Sequence, residues 1–303
     1  MKAKVSGTKK KINGTTFLLM ITILLFVVMY AAGMIVFNDK GFAKPQMFLN
    51  LFISNAGLLV IAMGETIVMI TAGIDISVGS VTALVCMVAA NQMENHGASA
   101  YTALLMALVI GLLFGLVQGF LVSYLEIQPF IVTLAGMFFG RGMTSIISTD
   151  MISIKNKTFF AWANYKIYLP IGSYSRRGKF IPAYIYPTVI IAILIFIVVL
   201  DGLLAGCGGF LFCLNSCSGF VEQAKGLEMD AISASVIGGT LLSGGVGTPF
   251  GTVFGVLIKG TISSLITTQG TLSSWWVRIV LSALLCFFIV LQAIFARMKK
   301  KNA

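Results

Sequence analysis

The sequence is short of charge. Asp, Glu, Lys and Arg make up 10% of its 303 residues, where an average soluble domain carries about 25%, while 58% are hydrophobic. A chain with so few charges and such long apolar runs is not a water-soluble globule but a polytopic membrane protein. Histidine is nearly missing: His96 stands alone in a polar loop, so neither a His-based triad nor a multi-histidine metal site can be assembled. Paired carboxylates for an intramembrane hydrolase are lacking too, since Asp75 and Asp230 are far apart in unlike contexts. There is no Gly-x-x-x-x-Gly-Lys-[Ser/Thr] loop, so this chain does not hydrolyse ATP itself. The five cysteines (Cys86, Cys207, Cys213, Cys217, Cys286) make no Cys-x-x-Cys or Cys/His pattern and read as small buried hydrophobes. No enzyme, metal site or cofactor is expected in this chain.

The charge that is present is unevenly placed. The 21 Lys and Arg exceed the 10 Asp and Glu by +11. Five cations lie in the first eleven residues (Lys2, Lys4, Lys9, Lys10, Lys11) and four in the last seven (Arg297, Lys299, Lys300, Lys301), flanking the apolar body. Clusters beside membrane spans hold helix ends on the cytoplasmic face, which argues against a nucleic-acid partner. Residues 1–15 and 297–303 are therefore read as basic cytoplasmic tails of a single transmembrane domain covering 1–303, in an all-α fold.

Apolar runs measured against the ~20 residues needed to cross the hydrocarbon give ten segments: 16–37, 48–70, 77–90, 101–124, 129–148, 183–200, 202–216, 229–242, 251–268 and 274–296. The first is too long for a signal-peptide core and reads as an uncleaved span. Ten crossings put both termini on one side, as the two basic tails require. The loop around Glu94 then lies outside, and so does a loop with six cations (Lys155, Lys157, Lys166, Arg176, Arg177, Lys179), against the usual charge bias.

The segments 77–90, 202–216 and 229–242 are too short to span comfortably. Two of them adjoin glycine-rich breaks, one at 72–80 containing Gly73, Asp75, Ser77, Gly79 and Ser80. The other, at 238–249, contains Gly238, Gly239, Ser243, Gly244, Gly245 and Gly247. Each follows a run carrying an acid, Glu65 in one half and Asp230 in the other. Interrupted hydrophobic segments at matching places in two halves point to a transporter site at discontinuous helices; inter-helix turns favour the same residues. Gly111, Gly115 and Gly119 share one face of the fourth segment, and Gly251 and Gly255 repeat the spacing, a pattern of close helix contact. Polar groups at membrane depth are Asn55, Glu65, Asp75, Gln118, Gln128, Arg141 and Arg278, the last read as an interfacial anchor after Trp275 and Trp276. Glu65 and Asp75 face either a ligand path or the break itself, as internal caps.

These residues carry a resemblance. Gly73-Ile74-Asp75-Ile76-Ser77-Val78-Gly79-Ser80-Val81 resembles a signature of ribose-type ABC transporter permeases. Gln128-Pro129-Phe130-Ile131-Val132-Thr133-Leu134-Ala135-Gly136-Met137 with Arg141-Gly142 resembles the next motif, and Glu228-Met229-Asp230-Ala231-Ile232 running into 237–248 resembles the C-terminal one. Gly270-Thr271-Leu272-Ser273-Ser274-Trp275-Trp276 is similar to the galactofuranose-type permease. The resemblance implies a bacterial inner-membrane subunit that moves a monosaccharide by alternating access. Its implied partners are a second permease subunit, a cytoplasmic ATPase that uses the ATP, a periplasmic sugar-binding protein and membrane lipid. One departure stands out: where such permeases carry a cytoplasmic stretch that docks the ATPase, Leu200 runs directly into Asp201-Gly202. A single helix over 187–216 would extend about 45 Å, too long for a ~30 Å core, so an Asp-Gly turn between two short spans is expected. Asn55, Asp75, Ser77, Ser80, Gln118 and Ser243 are expected to line a sugar path, with Glu65, Gln128 and Arg141 as further candidates. The competing reading is an ATP-independent carrier or interaction subunit, uncoupled because the docking stretch is missing.

Overall fold

In the computed structural model, residues 14–174, 180–197, 201–273 and 275–301 are described. Arg176, Arg177, Lys179 and the basic cluster at 2–11 lie outside them. The elements in order are α1 (Gly14–Val36), α2 (Pro45–Ile70), α3 (Val78–Asn95), α4 (Ala100–Ser123), α5 (Pro129–Ile147), β1 (Ile152–Ser153), α6 (Lys157–Asn164), β2 (Ile167–Tyr174), β3 (Phe180–Ile185), α7 (Pro187–Ile197), α8 (Asp201–Ser216), β4 (Ser218–Gly219), α9 (Leu227–Ile237), α10 (Pro249–Gln269) and α11 (Trp275–Lys301). Each of the ten apolar segments contains a helix. Among the described residues, six are long and apolar enough to cross a membrane: α1, α2, α4, α5, α10 and α11.

Local sequence explains the starts and stops. Proline opens α2, α5 and α10, where its missing N–H costs nothing, and the Ser99, Asn156 and Thr248 side chains accept from the first-turn amides of α4, α6 and α10. Several expected boundaries move. The helix expected over 229–242 ends at Ile237, because Gly238 caps it and Gly239 turns away with φ +96°. The span expected to start at 183 starts at Pro187, since Phe180–Ile185 is a strand. The residues expected as a tail from 297 continue α11 to Lys301, in keeping with the helix propensity of Arg and Lys. Asp201 and Gly202 are not a turn but the first residues of α8; the connection itself, 198–200, lies outside the described residues. Pro187, Thr188 and Ile191 of α7 face Phe210, Leu211 and Leu214 of α8 across one cavity, so the two are an antiparallel pair and not one long helix.

Burial separates interior from lipid-facing helices. In α2, 67% of the most apolar stretch is buried, against 11% in α4 and 17% in α1 and α11. The outer helices expose large side chains such as Leu24, Leu113, Leu116, Phe120 and Phe287, which is tolerable only against lipid. Cys286 is exposed on that same outer side and Cys207 and Cys217 are half-buried, so only Cys86 and Cys213 are buried as expected. Two apolar clusters share α2: Leu58 to Met63 pack with α3, α4 and α8, whereas Leu51 and Met69 pack with α1, α9, α10 and α11. Glycine lets α8 into the first cluster. A Cβ at Gly57 would lie 3.0 Å from the Phe212 nitrogen, and one at Gly206 would lie 2.6 Å from the Ala107 oxygen.

The first half of α1 and the C-terminal half of α11 meet at one end of the bundle. Thr22 of α1 donates to the Ile237 oxygen at 2.6 Å, and Gln292 of α11 reaches the Val236 and Thr240 oxygens, each at 3.2 Å. At the far end Lys40, after α1, donates to the Thr268 oxygen at 2.9 Å. The described part of the expected cationic loop is also at the far end: β2 and β3 pair as an antiparallel hairpin clipped to α2 through reciprocal Gln46 and Tyr184 bonds of 3.1 and 2.8 Å.

Candidate functional site

The first break runs from Thr71 to Ser77, where the chain leaves α2 and re-enters as α3. Ala72 sits at φ +62°, unusual for a residue with a Cβ. Asp75 donates its N–H to the Glu65 carboxylate at 3.3 Å, tying the break back against the last turns of α2. Asp75 Oδ1 accepts from the Ser77 N–H at 2.7 Å and its hydroxyl at 2.6 Å, closing an Asx turn ahead of α3. Gln118 of α4 donates to the Ser77 hydroxyl at 3.0 Å, and Thr133 of α5 donates to the Ile74 oxygen at 3.1 Å. The break is thus held from α2, α4 and α5 by side chains, each placed by a regular helix.

A cavity of about 520 Å³ opens against this break. Its lining mixes polar groups, Glu65, Thr71, Asp75, Thr133 and Gln118 of α4, with apolar side chains such as Val68, Val81 and Leu116 and with α4 backbone bared at Gly111, Gly115 and Gly119. A Cβ at Gly119 would meet nothing within 4 Å, so this glycine keeps space open instead of bringing helices together. The close-contact expectation holds for Gly111, against Gly206, and fails for Gly119, whose face looks onto the cavity. It holds for Gly251 and Gly255, whose added Cβ atoms would collide with the Gly238 and Ala234 oxygens.

Of the expected site residues, the structure brings Glu65, Asp75, Gln118 and Gly73 to the cavity, with Ser77 joined to them by hydrogen bonds. It leaves the others elsewhere. Asn55 is buried and donates to the Leu51 oxygen at 2.7 Å within its own helix. Ser80 donates to the Ser77 oxygen at 2.7 Å, under Gly140. Gln128 is the exposed residue before α5. Arg141 donates to the Val221 and Gln223 oxygens at 2.7 and 2.8 Å, pinning the chain between β4 and α9. Gly79 packs on Ala224 and Glu228. Exposed Arg278 lies over the Trp275 ring, as an anchor should. Thr71 and Thr133 were not among the expected residues; Thr133 was readable, since it lies four residues after Pro129 within a quoted motif.

The second break is differently built. Gly239, Gly244 and Gly245 have φ of +96°, +79° and +77°, and the bonds that hold the turn run between backbone groups: Leu241 N to Val246 O at 2.9 Å and Gly244 N to Leu241 O at 3.0 Å. Ser243 points to the exterior and Gly247 packs on Thr240 and Ile70. The two breaks nevertheless touch, since the Gly245 N–H donates to the Ile70 oxygen at 2.8 Å and Gly244 abuts Ala72.

A bundle broken at a polar cavity is the form of a permease, and the comparisons agree. The family described as branched-chain amino acid transport system / permease component matches residues 47–198 and 188–289. The chain belongs to this permease family. YjfF, an inner membrane ABC transporter permease protein of Escherichia coli (strain K12), is 37% identical over 90% of this chain and 91% of its own length. The fructose import permease protein FruG of Bifidobacterium longum (strain NCC 2705) is 27% identical over 95% of both chains. The autoinducer 2 import system permease protein LsrC of Yersinia pestis (strain Pestoides F) is 29% identical over 78% of this chain and 74% of its own. No solved structure matches. The permease is the membrane subunit of an ABC importer and not itself an enzyme; such subunits work with an ATPase and a binding protein and carry no cofactor of their own.

The family match also bears on the junction near Leu200. It falls into two stretches that meet at 188–198. The alignment with YjfF runs over 303 positions but uses 90% of a chain that is itself 303 residues long, so about 30 positions face no residue here.

Proposed function

We propose that this permease is the sugar-conducting subunit of an inner-membrane importer for a monosaccharide of the ribose or galactofuranose kind, folded as one transmembrane domain with both termini cytoplasmic. The observation that carries the reading is the mixed lining of the cavity at the first break. Carboxylate, amide and hydroxyl groups of Glu65, Asp75, Gln118, Thr71 and Thr133 share it with bared glycine backbone of α4 and aliphatic side chains such as Val68 and Leu116. A sugar matches such a lining: its hydroxyls both donate and accept, and its C–H face stacks on apolar surface. Glu65 and Asp75 supply acceptors, Gln118 both donors and acceptors, Thr71 and Thr133 hydroxyls, and Ser77 orients Asp75 and Gln118. The names of FruG and LsrC, a fructose and an autoinducer 2 import permease, support a small polyol-like cargo. The partners in this reading are a second permease subunit, the ATPase and a periplasmic sugar-binding protein.

A second reading, an ATP-independent carrier or interaction subunit, is favoured by one observation: α7 and α8 are separated by 198–200 alone, at the place where the family match divides. The relatives' additional residues, placed there, would supply the missing ATPase contact. Uptake of labelled ribose, fructose and galactofuranose into vesicles separates the two. Uptake that requires the ATPase and nucleotide supports the importer. Uptake unaffected by nucleotide, with no ATPase co-purifying, supports the carrier, and absence of transport with every sugar contradicts the sugar reading.

A further inference from the structure

We infer that the far end of the bundle holds a site for one anionic phospholipid, its acyl chain in the cavity between α4, α6, α7 and α8 and its headgroup at Lys157 and Lys166. The inference rests on the membrane-spanning fold and not on the sugar reading.

The cavity measures about 530 Å³, as large as the one at the first break, but among the described residues no carboxylate or amide side chain lines it. Its walls are Leu104, Phe210, Leu211, Leu214 and Ile191, and the polar atoms within reach are few: the Thr188 hydroxyl, the Cys207 thiol and the phenols at the mouth. Water needs two to four hydrogen-bond partners to occupy a space and does not find them here, while an empty void of this size forfeits the dispersion contacts of every atom that lines it. The space opens where Tyr101, Tyr165 and Ile191 are exposed, so its mouth faces the bilayer, in which a hydrocarbon chain is the abundant apolar solute.

The mouth is built for an interface. Tyr101 and Trp162 meet edge to face at 4.8 Å, and with Tyr165 they form the aromatic rim expected at headgroup depth. The short helix α6 borders the cavity, with Phe159 fully buried, Trp162 half-buried and the exposed Ala161 at its edge. Lys157 is four residues before Ala161 and shares its face, one turn nearer the helix start, and Lys166 follows Tyr165 directly; both lysines are exposed. No Asp or Glu occurs from 151 to 186. An anionic headgroup at the mouth therefore meets two cations on a segment with no acid of its own; Glu94, which packs on its start, is engaged by the Lys155 and Asn156 N–H groups at 2.7 and 2.9 Å, and Lys166 lies 4.5 Å over the Tyr184 ring. This accounts for positive charge at the far end of the bundle, where crossing topology alone gives none.

Native mass spectrometry of the intact permease in detergent tests the site, with phosphatidylglycerol and phosphatidylethanolamine of identical chains as probes. The expected result is one retained phosphatidylglycerol, displaced only slowly by phosphatidylethanolamine. Lys157→Gln with Lys166→Gln, both surface changes, lowers the preference for phosphatidylglycerol by about fivefold per lysine. Ile191→Trp fills the cavity and removes retention of both lipids, while a far-surface change such as Leu24→Trp does not. Should Ile191→Trp fail to fold, alkylation of Cys207 by a lipid-soluble maleimide replaces it: adding phosphatidylglycerol to delipidated permease slows the reaction. Equal retention of the two lipids, retention unchanged by filling the cavity, or Cys207 alkylation indifferent to lipid would each overturn the assignment.

Discussion

The two glycine-rich breaks look alike in sequence and are built in opposite ways. The first is held by side chains, Glu65, Gln118 and Thr133 from three helices and Asp75 and Ser77 within the break, with a cavity beside it. The second is held mainly by backbone bonds within one tight turn at positive φ, with an outside side chain, Gln292 of α11, donating to the Thr240 oxygen and Ser243 exposed. Even the acids differ: Asp230 is paired with Lys259 at 3.1 Å, whereas Glu65 and Asp75 share the wall of a cavity. Glycine in a membrane helix therefore carries two meanings, an open path or a close turn, and the distinction lies in whether polar side chains converge on it. The contact between Gly245 and Ile70 joins the breaks, so the second serves as a rigid support behind the first.

Several substitutions break or sharpen this contrast. The largest effect belongs to close packing: Gly255→Leu drives a side chain into the Ala234 backbone, and folded permease should be lost on size-exclusion chromatography, while Gly119→Ala, which meets open space, should elute as the parent does. Asp75→Ala comes next. It removes an acceptor serving two Ser77 groups as well as a cavity wall, and sugar uptake should fall about 100-fold with the yield preserved, the order expected for charge-assisted bonds. Gln118→Ala, which loses one donor at the cavity, should weaken apparent sugar affinity about tenfold and leave the maximal rate nearly intact. Gly245→Ala strains a left-handed position by about 1–2 kcal/mol and should lower the melting temperature by a few degrees without altering uptake. A transport defect as deep as that of Asp75→Ala would erase the distinction between the breaks.

The helices were legible because the bilayer imposes a length and a composition on each one, and these survive in the linear order of residues. Boundaries failed where glycine or a strand intervened, as at Ile237 and Pro187, since apolar content alone does not tell a helix end from a buried turn. The site was legible in part. Asp75 and Glu65 stood out as carboxylates at membrane depth, and Gln118 as an amide there. Ser243, Asn55 and Arg141 carried the same signal, but their sequence neighbours do not reveal whether a partner is supplied by backbone nearby, as the structure shows for Asn55 and Arg141. Gly119 of α4 departed from the expected close contact for a related reason. Close contact and open space call for the same residue, and only what faces each position decides between them.

The central claim is that sugar passes the first break and not the second. Thiol labelling measures this directly: Gln118→Cys and Ser243→Cys are each treated with a polar maleimide, with and without saturating transported sugar, and modification is read at the substituted position by peptide mass spectrometry. The account predicts that sugar slows labelling at position 118 and leaves position 243 unchanged. Protection at position 243 with none at position 118 would contradict it.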